Sequence, residues 1–96
     1  MTAHWIRFRQ NPIVLCRKVD DEVIVALPYT ISMHGLEGPA GTIWQLLGSP
    51  VSLPELVSSL ANTYGVDANE IEGDVKRTLD DLMGRHLVEE IVGIDG

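Results

Sequence analysis

Apolar residues gather into short runs in the first third of the chain, at lengths typical of β-strands. Residues 13–19 (IVLCRKV) and 22–27 (EVIVAL) are rich in β-branched and aliphatic side chains, and two aspartates separate them. Pro28 follows directly and cannot donate a hydrogen bond within a sheet. The pattern predicts a β-hairpin that ends at Pro28.

Residues 30–34 (TISMH) alternate between apolar and polar side chains, which predicts a short third strand. We expect Ile31 and Met33 to share its buried face. The opposite face would carry the polar residues Thr30, Ser32 and His34. These three strands would form a small antiparallel sheet with the third strand at an edge.

The rest of the chain repeats apolar residues at the spacing of amphipathic helices. Three such segments follow the strands: 38–47, 52–65 and 67–87. Ser52 precedes Glu55 by three residues, and Asp67 precedes Glu70 by the same distance, which is the pattern of a capping box. His86 stands where the third helix should end, because histidine tolerates a left-handed backbone better than most residues.

The order of these elements predicts the fold class. Three strands followed by three helices make an α+β domain, with a three-stranded antiparallel sheet and a winged helix-turn-helix-like arrangement. A chain of 96 residues is long enough for one domain with a single core and too short for two. We therefore expect one domain that spans residues 1–96.

The segment GLEGPAG at 35–41 raises the question of a phosphate-binding loop, because glycine-rich loops before helices cradle phosphates. It lacks the GK[ST] and GxGxxG patterns of such loops, and Glu37 would place a negative charge beside the anion. We interpret the segment as a strand-to-helix turn in which glycines allow positive φ and Pro39 takes an early helical position. The helix then carries Trp44 into the core.

Charge is unevenly distributed along the chain, whose net charge is −7 at neutral pH. The first 19 residues carry four basic side chains and no acidic one, whereas residues 20–96 carry fourteen acidic and three basic ones. This second part, with a net charge of −11, repels the phosphate backbone of nucleic acids. We therefore expect no nucleic-acid partner.

No pattern typical of a catalytic or metal-binding site is present in the sequence. The histidines His4, His34 and His86 are dispersed, without the spacing of a metal site. Cys16 is the only cysteine, and we interpret it as a small apolar filler in the middle of a strand. We expect a protein that is not an enzyme and has no cofactor and no metal.

Two further features bear on the compartment. No apolar run reaches the length of a membrane span, and the N-terminal MTAHWIRFRQ lacks the apolar stretch of a signal peptide. A lone cysteine fits a reducing environment. We expect a cytoplasmic protein without a membrane partner.

The sequence resembles the PqqD family, the recognition elements that bind precursor peptides in the biosynthesis of ribosomally made, modified peptides (RiPPs). Three groups of residues carry the resemblance. The first surrounds the first helix: Leu36, Ile43, Trp44, Leu46 and Leu47. The second lies along the next helix and just after it: Ser52, Glu55, Leu56, Leu60, Tyr64 and Val66. The third lies along the last helix and after it: Val75, Leu79, Leu82, Leu87 and Val88.

This resemblance covers about residues 13–90, which we take as the core of the domain. The sequence departs from the family pattern at His86, where the family often has glycine. It also departs in the segment MHGLEG, where many members show LN followed by a small residue.

The resemblance implies a non-catalytic adaptor. In the family, the leader segment of a precursor peptide adds as a strand antiparallel to the third strand, and its side chains enter the groove between that strand and the third helix. The residues agree, because an edge strand has unpaired backbone groups that an added strand satisfies. Six peptide-binding residues would come from the strand and the residue before it: Tyr29, Thr30, Ile31, Ser32, Met33 and His34. Five would come from the third helix, with Lys76 and Asp80 as a polar rim: Val75, Lys76, Leu79, Asp80 and Met83.

The pathway stays open among alternatives. Free-standing members of the family serve lasso-peptide pathways as the small half of a split B protein, where they present the precursor to a separate protease and cyclase. Others serve radical-SAM enzymes, including the pathway to pyrroloquinoline quinone. We favour the lasso-peptide interpretation. A winged-helix DNA-binding regulator is the alternative from another class, and the acidic third helix disfavours it.

Overall fold

The structure is a computed structural model that describes residues 3–28 and 33–95. This part of the chain forms strands and helices in the following order: β1 (Ala3–Gln10), β2 (Leu15–Val19), β3 (Glu22–Ala26), β4 (Met33–Leu36), α1 (Pro39–Leu46), α2 (Leu53–Tyr64), α3 (Ala68–Gly84) and β5 (Val88–Asp95). The strands make two antiparallel sheets, one in the order β2-β3-β4 and one that pairs β1 with β5. The α+β fold class and the three helices are confirmed.

The three-stranded sheet agrees with the prediction in order and direction. The β2–β3 hairpin turns at Asp20 and Asp21, and Asp20 adopts a left-handed conformation with φ of 54°. Strand β4 lies at an edge of the sheet, as expected. It extends to Leu36, two residues beyond the predicted end. Residues 29–32, which include the first three residues of the predicted strand, lie outside the described part of the chain.

The second sheet was not predicted, so a description with three strands is incomplete. Strand β1 pairs with β5 along its whole length, from Ala3 opposite Asp95 to Gln10 opposite Val88. Two side chains at the end of β1 donate hydrogen bonds to backbone carbonyls of the helical region. Gln10 Nε2 donates to the Trp44 carbonyl at 2.7 Å, and Asn11 Nδ2 donates to the His86 carbonyl at 2.9 Å. The N-terminal segment thus joins the first helix to the end of the third.

The helix boundaries follow the predicted caps. Ser52 Oγ accepts the Glu55 N–H at 3.3 Å, which is the predicted cap, and it donates to the Glu55 carboxylate at 3.0 Å. Asp67 caps α3 by accepting the Asn69 N–H at 2.9 Å. His86 has a φ of 62°, which confirms the expected left-handed residue after α3.

The glycine-rich segment forms a strand-to-helix turn. Gly38 is the N-cap of α1 with a φ of 57°, a conformation that favours glycine, and Pro39 is the first helical residue. Gly41 has a different role, since a Cβ atom there would lie 3.0 Å from the carbonyl oxygen of Leu36. The absence of a side chain therefore lets α1 approach the end of β4 closely.

One hydrophobic core joins the β2–β4 sheet to the three helices. Val23 and Val25 of β3 supply its sheet side, and the largest buried side chain is Trp44, which is 1% exposed. Its indole N–H donates to the sulfur of Cys16 at 3.3 Å. Cys16 itself is exposed, so the prediction of an apolar filler was wrong: the residue lies on an edge strand whose five members are all exposed.

Candidate functional site

The free edge of β4 is the main candidate for a binding site. Strand β4 pairs with β3 through one edge, and within residues 3–28 and 33–95 no strand pairs with its other edge. The backbone N–H and C=O groups along such an edge are available to a further strand. This edge lies beside α3, because His34 of β4 contacts Arg85 just after that helix.

The two faces of β4 are opposite to the prediction. His34 lies across from Val25, and Leu36 lies across from Val23, so these two residues are on the core face of the sheet. Met33 pairs with Ala26 on the outer face and is 72% exposed. The reason is the longer strand: Leu36 is buried, and the two-residue period then places His34 inside and Met33 outside.

The C-terminal end of α3 meets β4 through a polar contact. Arg85 Nη1 lies 3.1 Å from His34 Nδ1, and the same guanidinium contacts the Asp81 carboxylate at 3.3 Å. Since Arg85 and Asp81 are one helical turn apart, they mark the flank of α3 that faces the edge strand.

An apolar cavity of about 200 Å³ lies farther along the same flank of α3. It opens between the three helices, next to the turn that follows β4. Nine residues line it: Pro39, Ile43, Leu60, Tyr64, Val66, Ile71, Asp74, Val75 and Thr78. The flank therefore changes in character along its length, from apolar beside Pro39 to charged beside His34.

The residues predicted on the third helix lie in three different environments. Val75 and Leu79 are 4% and 1% exposed and belong to the core, although Val75 also borders the cavity. The other three, Lys76, Asp80 and Met83, lie by helical spacing on the flank of α3 that points away from Arg85. Helical spacing therefore places these three residues on the side of α3 away from the contact with β4. The edge strand does not face the middle of the apolar stripe, as the prediction assumed, but one side of it.

Thr78, Asp81 and Arg85 occupy the flank that the sequence prediction missed. All three are polar, and none belongs to the apolar stripe used to orient the helix. Their spacing of three and four residues is visible in the sequence as a second stripe beside Val75 and Leu82. Only the position of β4 shows which of the two polar flanks borders the edge strand.

The outer face of the β2–β4 sheet exposes several apolar side chains around Arg17. Leu15 and Val19 of β2 are 63% and 45% exposed, and Met33 lies on the same face. Ile24 and Ala26 of β3 complete the face between them. A surface of this kind on a small domain commonly contacts another protein.

Two carboxylates meet at the end of β4 that is nearest α1. The Glu22 side chain lies over Gly35, where an added Cβ atom would be 2.9 Å from a Glu22 oxygen. A hydrogen bond with Glu37 raises the pKa of Glu22 above its ordinary value of 4.5, with smaller contributions from burial and from repulsion by the Glu37 charge. The folded state thus holds this proton more tightly than the unfolded chain does.

Replacing Glu37 with glutamine should lower the pKa of Glu22 toward 4.5, because the shared proton and the neighbouring negative charge are both removed. A raised carboxyl pKa stabilises the fold below pH 4.5, and this contribution disappears as the pH rises through the folded-state pKa. A carboxyl NMR titration of Glu22 measures the shift. Glu72→Gln on the surface of α3 is the control, and an unchanged Glu22 titration in Glu37→Gln would contradict the assignment.

Within the described residues, no group of three His, Cys, Asp or Glu side chains is arranged to hold a metal ion. Among the helices that the structure describes, none is long and apolar enough to cross a membrane.

Comparisons with known proteins give one family and two similar structures. A family model described as coenzyme PQQ synthesis protein D (PqqD) matches residues 22–88. The structure of TbiB1 in complex with the TbiA(beta) leader peptide has a TM-score of 0.74 and 29% sequence identity, and the match covers 84% of this chain and 94% of TbiB1. No curated protein sequence matches the chain significantly.

The second structure is the PqqD truncation of PqqCD from Methylobacterium extorquens, solved by NMR as a stand-alone RiPP recognition element. Its TM-score is 0.70 at 20% identity, and the match covers 86% of this chain and 88% of that one. At this identity the likeness concerns the fold.

Proposed function

Because the chain belongs to the PqqD family, we propose that it is a non-catalytic adaptor that binds the leader segment of a ribosomally made precursor peptide. The observation that carries the proposal is the free edge of β4, which lies beside a helix flank with an apolar cavity. A further support is the similarity to TbiB1, whose structure contains a leader peptide. The protein would work in the cytoplasm, where ribosomal peptides are made.

Binding would occur by strand addition antiparallel to β4. The backbone groups at the free edge would pair with the leader, and residues 29–34 would supply the template strand. Met33 and His34 are the members of this segment that the structure describes. Alternate side chains of the leader would then point toward α3, and the others toward the outer face of the sheet.

The groove side of the site would be formed by the flank of α3 that faces β4. Apolar leader side chains would occupy the cavity beside Pro39, Ile43 and Thr78, where they are removed from water. Val75 would form part of the floor from within the core. The three helices and the preceding sheet would make this a winged helix-turn-helix-like domain in which α3 contacts a peptide.

The outer face of the sheet supports a role for a separate processing enzyme. A strand added at β4 would extend the sheet, so its outward side chains would lie next to Met33 and enlarge the apolar face. A partner enzyme on this face would contact the domain and the bound peptide together. We favour the leader protease of a lasso-peptide pathway as this partner.

The leader encoded beside the gene for this chain should bind with a Kd on the order of 0.1–10 μM, or about −7 to −10 kcal/mol. Raising sodium chloride from about 50 to about 300 mM should weaken binding by about threefold or less, because backbone pairing and apolar burial dominate. Fluorescence polarisation with labelled peptide measures both quantities, with the TbiA(beta) leader as a comparison. No binding, or a steep loss with salt, would contradict the proposal.

A duplex DNA of random sequence serves as the negative control for the alternative function. The net negative charge of residues 20–96 should prevent binding even at low salt, where nucleic-acid affinity is highest. A mobility shift with this DNA would instead favour the regulator.

A further inference from the structure

Arg85 and His34 contact each other across the groove between α3 and β4. Arginine has only donors, so the 3.1 Å contact from Arg85 Nη1 makes His34 Nδ1 the acceptor. The hydrogen of the neutral imidazole then lies on Nε2. Two N–H donor groups from different elements therefore lie at the end of the groove where β4 begins.

Asp81 holds the Arg85 guanidinium in this orientation. One of its oxygens accepts from Nε of Arg85 at 3.3 Å, and the other forms an ion pair with Nη2 at 3.3 Å, from one helical turn away. The contact occupies one edge of the guanidinium and leaves Nη1 directed at β4. The arginine side chain is 44% exposed, so an incoming group can reach it without an extensive rearrangement.

We propose that Arg85 and His34 are specificity-determining residues that select a carboxylate side chain, Asp or Glu, in the bound peptide. This inference rests on the proposed strand addition at β4. A carboxylate at that end of the groove accepts charge-assisted hydrogen bonds from the guanidinium and a bond from the imidazole. A lysine or arginine at the same position meets a like charge instead.

The acidic character of the whole chain does not reverse this preference. Its charges lie mostly on exposed surface, and at physiological ionic strength they are screened beyond about 8 Å. The carboxylate of Asp81, one helical turn before Arg85, is already paired with the guanidinium. The donors in direct contact with the peptide therefore decide the preference.

The geometry also gives the position of the carboxylate in the peptide. The apolar cavity lies beyond Leu36, and the donors lie at His34, near the other end of β4. A peptide antiparallel to β4 reaches the cavity first and the donors later. Because both side chains point toward α3, their positions in the peptide differ by an even number.

The test is a selection from a displayed library of random 16-residue peptides, carried out with three proteins. Peptides bound by the wild-type domain should carry Asp or Glu at one position, an even number of residues after an aromatic or aliphatic one. Arg85→Glu should shift that position to Lys or Arg. Arg77→Glu is the matched control, since Arg77 also pairs with an aspartate one turn earlier, Asp74, and should leave the acidic preference intact.

The Kd values of individual selected peptides then measure the preference for an acidic residue. Changing the acidic residue of a selected peptide to lysine should weaken binding to the wild type by about tenfold and strengthen binding to Arg85→Glu. Arg85→Gln, which creates no repulsion with Asp81, should lose the preference without reversing it. Selected peptides without an acidic position, or an acidic position that survives in both Arg85 variants, would overturn the inference and leave the proposed function standing. A wild-type selection that yields no binding peptide would overturn both.

Discussion

Trp44→Ala should lower the free energy of unfolding by about 3–5 kcal/mol, a large part of the stability of a domain of this size. The side chain is 1% exposed and is the largest in the core. Its removal leaves a cavity between the sheet and the helices that its neighbours fill only partly. It also deprives the Cys16 sulfur of the indole N–H that now reaches it at 3.3 Å.

Urea denaturation followed by circular dichroism measures this change. Trp44→Phe separates the two contributions, because it keeps most of the apolar volume and removes only the N–H donor. We expect it to cost less than half as much as alanine, since a weak hydrogen bond to sulfur contributes less than ring burial. A midpoint that Trp44→Ala leaves unchanged would show that α1 does not anchor the core.

Thr78→Glu should weaken leader binding by at least about tenfold, which corresponds to about 1.4 kcal/mol. Thr78 lines the apolar cavity on the flank of α3 that faces β4. A glutamate there would place a charge against apolar side chains of the leader, with no partner for it. Fluorescence polarisation with the labelled leader measures the change in Kd.

Thr63→Glu on α2 is a closely matched control. Both threonine hydroxyls donate to the carbonyl four residues earlier, Thr78 to Asp74 at 3.0 Å and Thr63 to Ser59 at 2.9 Å. The two substitutions therefore remove the same local hydrogen bond, but Thr63 lies outside the cavity. Leader affinity should stay within about twofold for Thr63→Glu. Equal affinities for the two variants would exclude the cavity from the site.

The parts of the fold that depend on neighbouring residues could be predicted from the sequence. Ser52 and Asp67 cap their helices because their side chains reach backbone N–H groups only two or three residues away. His86 ends α3 for a reason equally local, its tolerance of a positive φ. The β1–β5 sheet differs, since paired residues lie between 78 (Gln10 and Val88) and 92 (Ala3 and Asp95) positions apart and neither strand forms a hairpin with its sequence neighbour.

The site was harder to predict because its orientation depends on long-range packing. TISMH alternates, but the alternation alone does not say which set of side chains is buried. The burial of Leu36 opposite Val23 decides it, and this places His34 rather than Met33 toward α3. The apolar stripe of α3 likewise located its core face, whereas the contact from Arg85 shows which flank borders β4.

The pairing of β1 with β5 brings the ends of the described chain together. Ala3 lies opposite Asp95, so both ends leave the domain side by side from one edge of the molecule. A domain with adjacent ends tolerates insertion into a loop of another protein, and it tolerates circular permutation with a short linker. Because these ends belong to the β1–β5 sheet, a host protein could carry the domain as an insert and leave the free edge of β4 open.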